Sequence, residues 1–365
     1  MKLQEFQQEL KKKRIDVTIF ITSSYNNIDP NINYFTGMNA EWCSIIIPAI
    51  NKGKPFFILP RMELEKAKKL SRIRKILPVK PSQTLAELLT QNISGIKTIG
   101  INKNNLTIAG LESLRRGFRK QKQKVIFKDI SKIISDARSI KSEHEIAKIR
   151  TACRLTDKIF SEIVINFKNF RTEKDIAKFI EKKAQEFNVK PSFPAIIASG
   201  KNASMPHYTP KDTPIQKGFC IMDFGVKFKG YCADMTRTVY IGNPSIQEIK
   251  VYQTLLNAQK KAISLCKPNK KANILFKESS NELGPFKKYF LHGLGHGIGV
   301  EIHEAPSLSL KSKDILREGM VFTIEPGIYV PEKFGIRIED DIFMIKNGSE
   351  VLTKSSKNII LIKRQ

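Results

Sequence analysis

Residues 219–240, FCIMDFGVKFKGYCADMTRTVY, place two carboxylates where a folded chain tolerates them poorly. Residues 219–226 and 231–240 are rich in β-branched and aromatic side chains, and Lys227-Phe228-Lys229-Gly230 supplies a turn. The pattern predicts a β-hairpin. Folded about the bond between Phe228 and Lys229, it sets Asp223 opposite Asp234. Directly opposed side chains have Cβ atoms roughly 4.5–5.5 Å apart. Two carboxylates at that distance repel unless a cation lies between them or one keeps its proton. A hard metal ion held by oxygen ligands is the simplest resolution. A one-residue register slip, which turns one Asp to solvent, is the competing reading.

Histidines and further carboxylates gather downstream. Four of the five histidines lie in two short stretches. His207 follows Ser204-Met205-Pro206, and His292-Gly-Leu-Gly-His296-Gly-Ile-Gly-Val-Glu-Ile-His303-Glu304 carries the other three. Glycines between His292 and His296 argue against a helical metal-binding pair and let backbone approach closely around a site. Thr323-Ile-Glu325-Pro-Gly-Ile-Tyr329 and Gly335-Ile-Arg337-Ile-Glu339-Asp340-Asp341 flank a turn. A second hairpin centred on Glu332 opposes Glu325 and Glu339, with a bulge expected at Pro326-Gly327. His144, at the exposed start of a helix, reads as structural.

The ordered set Asp223, Asp234, His296, Glu325 and Glu339, with its local sequences, resembles the pita-bread dinuclear metallopeptidases. That family includes methionine aminopeptidase, aminopeptidase P and prolidase. The resemblance implies two divalent ions, Mn²⁺ or Co²⁺ ahead of Zn²⁺ or Fe²⁺. By it, Asp223 binds one metal, Asp234 and Glu339 bridge both, and His296 and Glu325 bind the second. A hydroxide bridging the two metals would attack the scissile carbonyl. Glu325 would also shuttle the proton. His207, His292 and His303 would hold the carbonyl oxygen and the substrate backbone. Arg337 would orient the carboxylates.

The rest of the chain fits two domains, as its 365 residues suggest. The boundaries are expected at 1–132 and 133–365. Val17–Thr22, 44–49, Phe56–Leu59, Thr98–Ile101 and 125–127 read as strands, and 62–70, 85–89 and 108–118 as helices. This gives an α/β domain around a mixed sheet, which resembles the creatinase/prolidase N-terminal domain. Residues 31–37 read as a loop. For Trp42, a core position and a pocket wall across a dimer interface both stand as readings. A linker is expected over 129–141. Ser142-x-x-Glu145, Thr172-x-x-Asp175 and Ser245-x-x-Glu248 then open three helices by capping boxes. The second domain reads as α+β.

Composition narrows function by exclusion. No apolar run spans a bilayer, and residues 1–14 are charged throughout rather than built like a signal peptide. Five scattered cysteines without a CxxC pair read as reduced thiols of a cytoplasmic protein. The net charge of +28 is mainly lysine and runs along the whole chain, so no specific nucleic-acid partner is expected.

The expected activity is a metal-dependent Xaa-Pro aminopeptidase acting on proline-containing peptides, commonly a homodimer among relatives. The alternatives are an Xaa-Pro dipeptidase and, more remotely, a non-catalytic peptide- or polyanion-binding module. The aminopeptidase reading rests on Ser307. Dipeptidase-type relatives often carry Arg directly after a His-Glu-x-Pro segment, where its fork suits a free carboxylate. Here His303-Glu304-Ala305-Pro306 is followed by a neutral serine.

Overall fold

The computed structural model describes residues 2–22, 28–80 and 83–363. The chain divides into two units, one ending at Ala137 and the other beginning at Arg138.

Six strands form the sheet of the first unit: β1 (Val17–Thr22), β2 (Cys43–Pro48), β3 (Phe56–Leu59), β4 (Lys75–Pro78), β5 (Thr98–Ile101) and β6 (Ile126–Asp129). Their order is β4-β3-β2-β1-β5-β6. The β1–β2 and β2–β3 pairs are antiparallel, while β3–β4, β1–β5 and β5–β6 are parallel. The sheet is therefore mixed. β1 and β2 read as near-continuous apolar runs because both of their faces are covered. Helices Leu85–Asn92 and Ile108–Lys120 pack Leu89, Leu114 and Phe118 onto Val17, Ile19, Ile46 and Ile99. Each such side chain contributes roughly 1.5–3 kcal/mol on burial. Helix Lys2–Lys12 buries Phe6 and Leu10, with Phe6 against Phe20 and Phe35.

Three expectations fail here. Residues 31–37 are not a loop: Pro30–Thr36 is a helix, with Asp29 accepting from the Asn31 N–H and proline opening the first turn. The supposed linker holds helix Ser131–Ser139, whose Ser131 N–H is capped by Asp129. Trp42 is no core residue, being 64% exposed. Strand β4 gave little signal in the sequence because it is half exposed and ends in proline.

The second unit layers helices over antiparallel and mixed sheets. A four-stranded sheet runs in the order Ile360–Ile362, Met235–Ile241, Gly218–Phe224, Ile196–Ser199. A five-stranded antiparallel sheet orders Glu304–Leu308, Gly295–Gly297, Val321–Ile324, Asp340–Ile345, Gly348–Val351. Helix Ile246–Ser264 presses Val251, Tyr252, Leu255 and Leu256 against Phe219, Tyr240, Ile328 and Ile336. Helix Glu143–Asn166 opens as expected, with the Ser142 N–H and Oγ donating to Glu145 at 2.9 and 2.7 Å. The other two boxes form as well. Among the described residues no helix is long and apolar enough to cross a membrane.

Candidate metal centre and active site

The first hairpin forms, but in a different register. Thr236 lies opposite Asp223, and Tyr231 opposite Phe228. The turn is therefore Lys229-Gly230, one residue later than expected. Both residues have positive φ, 45° and 86°, as a two-residue hairpin turn of matching twist requires. Asp223 thus does not face Asp234 directly. The pairing has moved by two positions, and an even shift leaves every side chain on its own face. Asp234 therefore remains on the face of Asp223, as its diagonal neighbour. The ladder opens at Gly225, where a Cβ would lie 1.8 Å from the Ala233 carbonyl oxygen. In that gap the Asp234 N–H donates to Asp341 Oδ2 at 2.9 Å.

The second hairpin turns about Glu332, as expected. Val330 pairs with Phe334 and Gly327 with Arg337, while beyond the interruption Ile324 pairs with Asp340. The register is the same on both sides of Pro326-Gly327, so the expected bulge is absent. Instead the ladder opens without slipping, and its end groups bond elsewhere. The Glu325 N–H donates to the Leu294 carbonyl at 2.8 Å and the Glu339 N–H to the Thr236 carbonyl at 3.1 Å. These two bonds tie the second hairpin to the histidine strand and to the first hairpin.

The result is a cavity of about 310 Å³. Asp223, Asp234, His296, Glu325, Glu339, His207, His292, His303 and Arg337 all line it. Asp234, His296 and Glu339 each bring a donor atom within 4.8 Å of the others. His296 Nε2 lies 3.4 Å from Glu325 Oε1 and 3.6 Å from Asp234 Oδ2. Arg337 Nη2 donates to Asp223 Oδ2 at 2.6 Å and Nε to Thr236 Oγ1 at 3.1 Å. Thr236 in turn donates to Glu339 Oε2 at 2.6 Å.

Charge is poorly balanced in this cavity. Burial first, then the neighbouring carboxylates, push the Asp234 and Glu339 carboxyls far above the usual carboxylate range. Burial raises Glu325 as well. Burial lowers His296, His292 and His303, which leaves neutral imidazoles suited to ligation and hydrogen bonding. Asp223 Oδ1 and Asp234 Oδ1 are buried with no hydrogen-bond partner. Buried polar atoms are seldom left so, and converging carboxylates beside a neutral imidazole make a donor set that divalent ions accept. The donor set fits metal binding.

Sequence reasoning missed three supporting residues. Tyr329, 1% exposed, contacts His292 Nε2 at 2.9 Å and accepts from Arg337 Nη1 at 2.5 Å. Its own proton then goes to His292 Nε2, which leaves the imidazole proton on Nδ1. Thr236 joins Arg337 to Glu339, and Asp341 holds the Asp234 backbone. Thr236 was within reach of sequence reasoning, because strand alternation sets it on the face of Asp234.

Comparison with known proteins bears directly on this site. Residues 147–346 match metallopeptidase family M24, and residues 2–140 match the creatinase/prolidase N-terminal domain. An Xaa-Pro dipeptidase of Pyrococcus horikoshii is 35% identical over 336 residues, covering 91% of this chain and 92% of the relative. The crystal structure of the prolidase from Pyrococcus horikoshii superposes with a TM-score of 0.86 at 34% identity, covering 98% of this chain and 99% of that one. An X-Pro aminopeptidase from Thermotoga maritima gives 0.86 at 29% identity, covering 96% and 100%.

Proposed function

Because the chain belongs to metallopeptidase family M24, with a creatinase/prolidase N-terminal domain ahead of a pita-bread catalytic domain, we propose that it is an Xaa-Pro dipeptidase. The observation that carries the metal-dependent reading is the cluster of the buried Asp223, Asp234 and Glu339 with the half-buried Glu325 around His296, two of them with an unpartnered oxygen. The dipeptidase reading displaces the aminopeptidase expectation because, where the similar relatives and solved structures carry a specific activity in their names, dipeptidases and prolidases outnumber aminopeptidases. Ser307 carries less weight than its sequence context suggested. It pairs with His296 across the ladder, yet it is not among the described residues that line the cavity.

Asp223, Asp234, His296, Glu325 and Glu339 would hold two divalent ions. Their oxygen-rich donor set suits Mn²⁺ or Co²⁺. Bound there, such ions polarise the scissile carbonyl and ease deprotonation of water. Glu325, held high by burial, takes the proton of the attacking water and delivers it to the leaving proline nitrogen. His303 and His207 stand around the cavity to donate to the carbonyl oxygen as charge develops on it, whereas His292, whose Nδ1–H donates to the Gly293 carbonyl at 2.7 Å and whose Nε2 faces the Tyr329 hydroxyl, helps to shape the wall. Tyr329 keeps the His292 proton on Nδ1, and Arg337 fixes Asp223 against rotation. All five cysteines are buried free thiols, which supports a reducing compartment such as the cytoplasm. The homodimer implied by the family resemblance belongs to this proposal too. Light scattering should give twice the chain mass.

The deciding experiment compares kcat/KM for an Xaa-Pro dipeptide and an Xaa-Pro-Yaa tripeptide after Mn²⁺ or Co²⁺ loading, with metal content measured. The expected ratio favours the dipeptide. Cleavage of tripeptides alone would make the enzyme an aminopeptidase. A metal-free, inactive protein would favour the binding module.

A further inference from the structure

Glu173 is a fully buried carboxylate outside the cavity, and the chemistry above makes no use of it. It opens helix Glu173–Glu186 but does not cap it. Thr172 and Asp175 do that reciprocally, with Asp175 N–H to Thr172 Oγ1 at 3.2 Å and Thr172 N–H to Asp175 Oδ2 at 2.8 Å. Burying a carboxylate costs several kcal/mol unless its oxygens are well satisfied. The Glu173 oxygens are satisfied by one short segment. Ser199 donates from its N–H at 2.7 Å and its Oγ at 2.9 Å, and Asn202 Nδ2 lies 3.1 and 3.3 Å from the two oxygens. These partners are neutral donors, each worth more to a charged acceptor than to a neutral one. The helix N-terminus adds favourable field.

That segment is one limb of the loop that carries His207. Asn202 also donates to the Tyr208 hydroxyl at 3.1 Å, so the network reaches the residue next to His207. The other limb is strapped to the same helix start. The Glu173 N–H donates to the Thr213 carbonyl at 3.1 Å and the Ile215 N–H to the Arg171 carbonyl at 3.0 Å. Gln216 closes the base by donating its N–H to Ser199 Oγ at 2.9 Å. Both limbs therefore converge on residues 171–174, and Glu173 is the side chain there that binds the limb leading into His207. We infer that Glu173 is a positioning residue that sets where His207 stands in the cavity. The inference rests on the peptidase reading for what His207 does, but not for how it is held.

The test uses Glu173→Ala, Glu173→Gln, Asn202→Ala and His207→Ala in the full chain. Hydrogen exchange on metal-free protein gives the readout that needs no activity. Residues 199–208 should exchange faster in Glu173→Ala, with residues 340–345 unchanged. With metal loaded and its stoichiometry intact, Glu173→Ala should lower kcat roughly 10-fold or more with little change in KM, because misplaced groups act on the transition state. Placed on top of His207→Ala, it should lower kcat less than about 2-fold, since a residue acting through His207 has nothing left to position. If Glu173→Ala does not fold, Glu173→Gln and Asn202→Ala carry the same comparison. Losses that add in the double variant, or a lower melting temperature with kcat unchanged, would reduce Glu173 to a structural residue. Should the wild type cleave no Xaa-Pro bond, the peptidase reading fails, while the exchange pattern still decides the inference.

Discussion

Two groups of buried carboxylates in the second unit are balanced in opposite ways. Around Glu304 the chain supplies its own cations. Arg138 Nη2 lies 2.6 Å from Glu304 and 2.6 Å from Glu301, and Lys141 Nζ lies 3.3 Å from Glu304. Burial alone would raise the Glu304 carboxyl, yet Lys141 and then Arg138 bring it down to about 2. Around Asp234 the reverse holds. Burial and four neighbouring carboxylates raise it, and Arg337 is the one permanent cation among the described residues lining that cavity. Both groups sit in similar surroundings, so burial does not distinguish them. What differs is where the compensating charge comes from: within the chain at Glu304, and, on the proposed function, from divalent ions at Asp234.

The comparison is tested hardest by Asp234→Asn. Losing this carboxylate should lower metal stoichiometry and cut kcat about 10³-fold or more, several kcal/mol of transition-state stabilisation. The metal-free protein should become more stable, because one member of a mutually repelling set is gone. Near-normal turnover at full metal content would break the contrast.

Lys141→Met probes the other group. Removing one partner of a buried ion pair leaves a charge uncompensated, at about 3–5 kcal/mol. Urea unfolding should show that loss, with metal affinity changed less than about 2-fold because Lys141 lines no part of the cavity. Circular dichroism is the suitable probe, since Trp42, the single tryptophan, belongs to the first unit. A variant as stable as wild type would mean that the Glu304 group is solvated in solution.

The two groups also differ in how far the sequence announced them. That Asp223, Asp234, His296, Glu325 and Glu339 would gather around one cavity was legible because residue type and hairpin period carry the information. Even a register wrong by two left Asp223 and Asp234 on one face, since side chains alternate with period two. The register itself depended on which residue pair in Lys227-Phe228-Lys229-Gly230 would take positive φ, and propensity alone left that open. The Glu304 group was not legible. Arg138 and Lys141 are 163 or more residues from their carboxylates, and no local pattern links them. Tyr329 was hidden for a similar reason, because its role depends on where His292 and Arg337 arrive in space. Helix Pro30–Thr36, by contrast, carried its caps in plain view in Asp29-Pro30, and the aromatic content of 31–37 masked them.

The pH dependence should have opposite sign in the two groups, and its acid limb is the smallest effect expected. Glu304 has a folded pKa of about 2, below its ordinary 4.5. Its contribution is full above pH 4.5 and is lost as pH falls towards 2, roughly 3 kcal/mol at one pKa unit per 1.4 kcal/mol. Asp341, which holds the Asp234 backbone, is raised by burial to about 8 from 3.8, and Asp234 and Glu339 shift the same way. A raised carboxyl costs nothing below its unfolded pKa and penalises folding increasingly as pH climbs towards the folded one. Metal-free protein should therefore be most stable near pH 4–5 and lose stability on both sides. Saturating Mn²⁺ should restore the alkaline side, because ions that bind only the folded state stabilise it by mass action. It should leave the limb between pH 4.5 and 2 in place, because Glu304 already has its cations. Unfolding free energies at several pH values, with chelator and with Mn²⁺, measure both limbs. A metal-free profile that stays flat from pH 5 to 8 would show that the carboxylates around Asp234 find compensation without ions, and the contrast between the two groups would fall.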